Sequence, residues 1–337
     1  MDSNSNIAVV GPTGVVAREL LSALSESGHA AEHVTLLGSE RSDGVEVEYG
    51  GDSLAVEKAT TDSLRSMKVV FFTAPSEVAL KLAPAAQAAG AWVVDVSAAF
   101  LGDANVPVVV PAVNGEVLGR PFPGRIVRCP SAVTAALCTV LNPLRQAYGL
   151  ASVQVTALMG SSSAGLRGVA ELEQQTANLL SGKELEPGHF PHRLAFNLIP
   201  QVGAFTGASS AEELAWQKDA PRVLGQSPLT LDGTAIQVPT FFGHALSLMV
   251  KLGKGAEVDE VRAKLSASTA LKVLDAPGEK IYPLPSTVTA DPTVHVGRVR
   301  AFAGQLDTFL IYAVIDNAGR GAALNALEVA TRLTAHA

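Results

Sequence analysis

"NIAVVGPTGVVARELLSALSESG", residues 6–28, runs an unbroken apolar stretch into a turn with glycines at 11 and 14, then into a helical pattern. Apolar residues without alternation, as in Ile7–Val10, are the mark of a strand covered on both faces. Glycines between such a strand and a helix let the backbone approach a pyrophosphate. The helix N-terminus supplies N–H donors and the positive end of the dipole. Gly11, Thr13, Gly14 and Val15 are therefore the expected phosphate contacts. Ala17 stands where a third glycine would ease helix packing, and Pro12 has no N–H to give. A plain strand–helix turn without a ligand is the competing reading.

Outward from that turn, "HVTLLGS", "KVVFFTA", "WVVDVSA" and "VPVVVPAVN" repeat the apolar runs, with a helical pattern over "SEVALKLAPAAQAAG". Strands of this kind separated by helices predict an α/β, Rossmann-like doubly wound NAD(P)-binding domain. The second strand ends in "LLGSERSDG". Glu40 suits a ribose 2′-hydroxyl and hence NAD, whereas Ser39, Arg41 and Ser42 suit a 2′-phosphate. The arginine with two flanking hydroxyls favours NADP, and a solvated polar turn remains the alternative.

Beyond residue 150 the pattern changes. "ASVQVTALMG", "TAIQVPTFFGHALSLMVKL" and "QLDTFLIYAVI" are long β-type segments, with helices over "GVAELEQQTANLL" and "EVDEVRAKLSAST". This predicts an α+β domain with a mixed sheet, of the dimerisation or catalytic type. Residues 181–235, rich in Gly, Pro and Ser, are expected to form long loops. "DNAGRGAALNALEVATRLTAHA" is expected to be a terminal helix that packs back. The expected division is 1–130 with 318–337 for the first domain and 131–317 for the second.

The 337 residues carry a net charge of −7 and no basic cluster, which argues against a nucleic-acid partner. Two cysteines, Cys129 and Cys138, provide neither a disulfide framework nor a metal quartet. No basic leader or long apolar span is visible, so a cytoplasmic location without membrane association is expected.

The order of "GPTGVVARELL", "VDVSAAF", "VPVVVPAVN", "CPSAVTAALCTVLNPL", "RLAFNLIPQVGAF", "VPTFFGH", "VHVGRVRAF" and "DNAGRGAALNA" resembles the aspartate-semialdehyde dehydrogenases. The resemblance implies an NADP-binding domain, a middle domain that builds the catalytic pocket and a homodimer. It also implies reduction of an acyl phosphate through a cysteine thioester, and it adds Asn317 to the cofactor contacts. The family's Pro-Asn-Cys turn falls on Pro130-Ser131-Ala132, which places a methyl group at the nucleophile. The orienting glutamine falls on Met159, the carboxylate-binding arginine on Gln237, a phosphate-contacting lysine on Ala215 and another arginine on Leu101. Glu212 and His244 retain their polar character. No catalytic set is intact, and the chain resembles the degenerate Usg-type paralogues most.

Three readings follow. The first is an NAD(P)-binding homodimer without the parent activity, a pseudoenzyme whose role is regulatory or whose ligand or protein partner these residues leave unnamed. The second is an NADP-dependent oxidoreductase of altered substrate that forms no thioester. The third is a structural dimer with a decayed cofactor site.

Overall fold

Both faces of the first strand are buried, which is why its sequence is apolar without alternation. The structure, a computed structural model, describes residues 1–183 and 188–335. The chain divides into two units, Met1–Ser131 with Ala322–Ala337, and Ala132–Gly321. Residues 336 and 337, assigned to the first domain from sequence, lie outside the described residues, as does 184–187 of the expected loop region.

The first unit contains β1 (Ile7–Val10), α1 (Val15–Glu26), β2 (Val34–Gly38), β3 (Glu46–Tyr49), β4 (Asp52–Lys58), β5 (Val69–Phe72), α2 (Ser76–Ala88), β6 (Trp92–Asp95), α3 (Pro111–Asn114) and β7 (Ile126–Arg128). The sheet runs β3-β4-β2-β1-β5-β6-β7, parallel throughout except for β3 against β4. Leaving out β3, this is the doubly wound dinucleotide order, with its switch point between β1 and β5. Ile7 and Val9 pack on one face with Leu20, Leu21 and Leu24 of α1 and Val329 and Leu333 of the terminal helix, Leu324–Ala335. Ala8 and Val10 pack on the other with Ala79, Leu82 and Ala86 of α2.

Two details depart from expectation. "VPVVVPAVN" does not form a strand: Val108 makes only an isolated bridge to Arg128. The Asn114 amide takes up the local backbone instead, accepting from Val110 N at 2.9 Å and donating to Val108 O at 2.9 Å. The hairpin of β3 and β4 was not foreseen, because its charged, exposed residues lack the apolar run that marks the other strands.

The second unit contains α4 (Ala132–Tyr148), β8 (Leu150–Met159), α5 (Gly165–Leu180), the short hairpin β9 (Phe205–Thr206) and β10 (Ser209–Ser210), and α6 (Ala211–Val223). β11 (Thr230–Gln237), β12 (His244–Leu252), α7 (Val258–Ser266), β13 (Leu271–Val273), β14 (Val294–Ala301) and β15 (Thr308–Ile315) follow. The sheet order is β11-β8-β12-β15-β14-β13, with β11/β8 and β13/β14 parallel and the other pairs antiparallel. α4 covers one face, touching β8, β12, β14 and β15. On the strands, Thr156, Leu158, Met249, Leu310 and Tyr312 remain half-buried, and Gln154 and Ser247 are exposed. α6 lies within the region expected to contain long loops. Its capping box, Ser210 with Glu213, fixes the start, and Glu213 Oε1 also accepts from Ala235 N at 2.9 Å.

Asp95, at the carboxyl end of β6, is fully buried. Its Oδ1 accepts from Ser97 N at 3.0 Å, while Oδ2 has no hydrogen-bond partner. Burial pushes the carboxyl up to about 6, against opposing hydrogen bonds from Ser97 and the charge of Arg128. The folded state therefore holds a proton that the unfolded state releases, and Asp95's contribution is lost as pH rises from about 4 to about 6. Asp95→Asn keeps an oxygen for Ser97 and cannot ionise. In urea unfolding it is expected to be more stable than the parent at pH 7.5, by on the order of 2 kcal/mol, and to match it near pH 4. A variant less stable at pH 7.5 contradicts this reading.

Candidate functional site

In the first unit, Gly11 adopts φ +90°, and a Cβ there would come within 2.8 Å of the Ala74 backbone. Only glycine satisfies both conditions. Gly14 caps α1, Val15 is its first residue, and Thr13 is exposed between the glycines. These four residues meet at the carboxyl end of β1, next to the switch point. Ala17 is fully buried and packs in the core, so the missing third glycine costs the helix no close approach.

The turn after the neighbouring strand β2 carries Ser39, Arg41 and Ser42. Ser42 Oγ donates to Ser39 O at 2.9 Å, which closes the turn, and Arg41 is exposed. Glu40 is exposed and meets Lys58 Nζ at 3.4 Å. The donors present, two hydroxyls and a guanidinium, have the chemistry of a phosphate seat. A nucleotide phosphate fits this unit.

In the second unit, strand register gathers three of the expected catalytic positions. Gln237 of β11 pairs with Met159 of β8, and Met159 pairs with His244 of β12. All three are nearly inaccessible. The Gln237 amide has a partner at each end: Nε2 donates to Met159 O at 2.7 Å, and Oε1 accepts from Ser163 Oγ at 3.0 Å. His244 Nδ1 accepts from Gly160 N at 3.2 Å, which assigns the proton of the neutral ring to Nε2. Burial lowers the imidazole to about 4, only partly opposed by a backbone hydrogen bond at Gly243 and the charge of Asp316. The ring is neutral at neutral pH.

The chain reverses between α4 and β8, so the start of α4 lies at the Met159 end of the sheet. Ala132 is its first residue. A Cβ on Gly321 would sit 2.5 Å from Ala132 Cβ, and Gly321 N donates to Asp316 O at 2.8 Å. Asp316 directly follows Ile315, the β15 partner of His244. Asn317 comes next, its Oδ1 accepting from Ser162 Oγ at 3.2 Å and Gly243 N at 3.0 Å. Glu212 is half-buried in the first turn of α6, and Ala215 lies buried one turn on.

Neither thiol offers a substitute nucleophile. Cys129 and Cys138 are both buried. Burial pushes Cys129 up to about 12 and raises Cys138 further, with Asp95 and Asp219 respectively adding to it. Among the described residues, no group of His, Cys, Asp and Glu is arranged to hold a metal ion. No described helix is long and apolar enough to cross a membrane.

Two family descriptions match this chain: "Semialdehyde dehydrogenase, NAD binding domain" over residues 6–120 and "Semialdehyde dehydrogenase, dimerisation domain" over residues 141–319. The chain belongs to the aspartate-semialdehyde dehydrogenase family. It is 36% identical to the "USG-1 protein homolog" of Pseudomonas aeruginosa, covering 100% of this chain and 99% of the relative. Identity to the aspartate-semialdehyde dehydrogenase of Bacillus subtilis is 32%, over 99% and 98% of the two chains. Among solved structures it is similar to aspartate semialdehyde dehydrogenase II of Vibrio cholerae complexed with ASA, with TM-score 0.94, 29% identity and 98% coverage of both chains. A probable aspartate-semialdehyde dehydrogenase from P. aeruginosa gives TM-score 0.91 and 34% identity, over 98% of this chain and 99% of that one.

Within the semialdehyde dehydrogenase fold, the NAD-binding match spans Gly11–Val15 and Ser39–Ser42. The dimerisation match spans Met159, Glu212, Gln237, His244 and Asn317, while Ala132 falls between the two. Sequence reasoning missed Ser162, Ser163 and Asp316, which hold the neighbouring positions together. The serine run directly after Met159 was the available signal.

Because His244 takes up a proton in the unfolded chain below about 6.5 but in the folded one only near 4, its contribution to stability is lost as pH falls across that window. His244→Asn presents an oxygen to Gly160 N without a titrating group. The stability lead of the parent over this variant is expected to shrink by on the order of 2–3 kcal/mol between pH 7 and pH 4.5, read from denaturant midpoints. A lead independent of pH counts against a buried neutral imidazole.

Proposed function

We propose that this protein is a non-catalytic member of its family: a cytoplasmic homodimer that binds NADP and has lost acyl-phosphate reduction. Ala132 carries the reading. In the family reaction as the resemblance implies it, a thiolate attacks the acyl phosphate from the start of this helix. A methyl group has no electron pair to offer, and the two thiols are buried and protonated.

The other replacements agree with that loss. Met159 has no amide to orient an acyl group, and the Gln237 amide is already spent on Met159 O and Ser163. A neutral amide so engaged does not replace a planar guanidinium as a carboxylate anchor. His244 holds a proton on Nε2 with no thiol to exchange it with.

Gly11, Thr13, Gly14 and Val15 would hold the cofactor's pyrophosphate, and Ser39, Arg41 and Ser42 its 2′-phosphate. The cofactor supplies hydride chemistry when bound; in this reading its role here is recognition. The half-buried apolar side chains Leu158, Met249, Leu310 and Tyr312 on the sheet face opposite α4 are the proposed seat of the second copy.

Purified protein incubated with aspartate semialdehyde, phosphate and NADP is expected to show no turnover above background while titrating with NADP. Robust NADPH production sinks the proposal, and turnover of an unphosphorylated carbonyl substrate moves it to an oxidoreductase without a thioester. Ala132→Cys alone is expected to stay about 100-fold or more below relatives with the full catalytic set, since acyl orientation and anchoring are still absent. Arg41→Ala is expected to weaken NADP about tenfold or more and NAD little, by fluorescence titration. Equal losses for both nucleotides contradict the 2′-phosphate assignment.

A further inference from the structure

An acid and an arginine stand at opposite ends of one row of the mixed sheet. On the face opposite α4, register sets Asp232 of β11, Gln154 of β8, Met249 of β12, Leu310 of β15 and Arg300 of β14 side by side. With neighbouring strands about 4.8 Å apart, the two charges lie roughly 19 Å from each other and do not meet within one chain. Both side chains are exposed, and neither has an ion-pair partner among the described residues.

A bulge puts the arginine there. Gly297 pairs with Tyr312 on this face, and regular alternation from it would bring Val299 forward and turn Arg300 toward α4. The register slip between Gly297 and Arg300 reverses that, so Val299 is buried and Arg300 pairs with Leu310. Asp275 holds the bulge, accepting from Arg298 N at 2.6 Å and Val299 N at 3.2 Å, and Arg262 Nε donates to the same carboxylate at 2.7 Å. Arg298 and Arg300 then border a cavity of about 310 Å³, with Ser247, Tyr282, Leu284 and Tyr312 in its wall and no carboxylate. At the other end of the row, the Asp232 carboxylate is held in place by Gln217 Nε2 at 2.9 Å and Gly233 N at 2.8 Å.

We propose that the second copy docks on this face about a two-fold axis running along β12, so that Asp232 of each copy enters the arginine-lined cavity of the other. This rests on the homodimer proposed above and states how its copies fit. An axis in that direction exchanges the two sides of the sheet, laying β11 of one copy over β14 of the other, β8 over β15 and β12 over β12. An axis across the strands stacks β11 on β11 and β14 on β14, which sets acid against acid and guanidinium against guanidinium. Docking removes water from the face, so the arginines need an acid there, and like charges brought together cost affinity. Facing sheets lie about 10 Å apart, a gap that an aspartate and an arginine extended toward each other can span.

The test is sedimentation of the full chain over a concentration series, with charge reversals at the two ends of the row. Asp232→Lys and Arg300→Glu are each expected to weaken the parent dimer about 100-fold or more, because every dimer carries the contact twice. An equimolar mixture of the two variants is expected to recover dimers to within about tenfold of the parent, since both contacts of the mixed pair again join opposite charges. The chain carrying both reversals is expected to recover likewise. A parent that stays monomeric at every concentration sinks the homodimer and this arrangement with it. A parent dimer that the single reversals leave unchanged or tighten keeps the homodimer and overturns the arrangement alone, as does failure of both the mixture and the double reversal to recover it.

Discussion

The burial of α4 along the mixed sheet is the constraint on which the second unit's site depends. Val133, Ala136, Leu137, Val140, Leu141 and Leu144 are all buried, so the helix has no freedom to slide or rotate. Its first residue is thereby held beside Gly321, whose missing Cβ leaves the space that residue 132 needs. Position 132 does not hold the scaffold together, because the packing that positions it comes from the rest of the helix. A nucleophile can be lost at little structural cost when it stands on an element stabilised elsewhere.

Polar groups of the same unit find partners within the chain. A guanidinium at position 237 would require a carboxylate to justify its burial, whether from substrate or from the chain. The glutamine there carries no charge, and Ser163 and the Met159 carbonyl give its oxygen and nitrogen one partner each. Asn317 is likewise occupied by Ser162 and Gly243, and Asp316 by the backbone at 290, 318 and 319. Two hydroxyls beside them, Ser161 Oγ and Thr240 Oγ1, stay buried without a hydrogen-bond partner among the described residues.

Much of this was legible in the sequence, for identifiable reasons. β1, β2, β5 and β6 announce themselves because strands buried on both faces must be apolar throughout, and the glycine turn follows β1 directly. The β3–β4 hairpin was invisible because its outer residues are charged, and α6 because its start is fixed by a capping box inside a Gly- and Pro-rich stretch. "VPVVVPAVN" misled because it is apolar enough for a strand, whereas its prolines and the Asn114 amide divert the backbone. Met159, Gln237 and His244 were named individually from the resemblance, yet their common row emerges only from register between strands far apart in the chain. Ser163 was marked only by the serine run after Gly160, and its partnership with Gln237 needs that register.

His244 shows how the role of an imidazole depends on what stands next to it. An imidazole beside a thiol can exchange a proton with it, and a low proton affinity then matters to the chemistry. In this chain burial leaves the ring neutral, with Nδ1 held by Gly160 N between β8 and β12. Its remaining work is to satisfy that amide, at a residue where an added Cβ would come within 3.1 Å of three oxygens of the facing loop. A bulkier or charged group at position 244 would leave the amide unpaired or bury a charge. The histidine thus has a structural reason to persist that requires no reaction, and its presence alone is not evidence for catalysis.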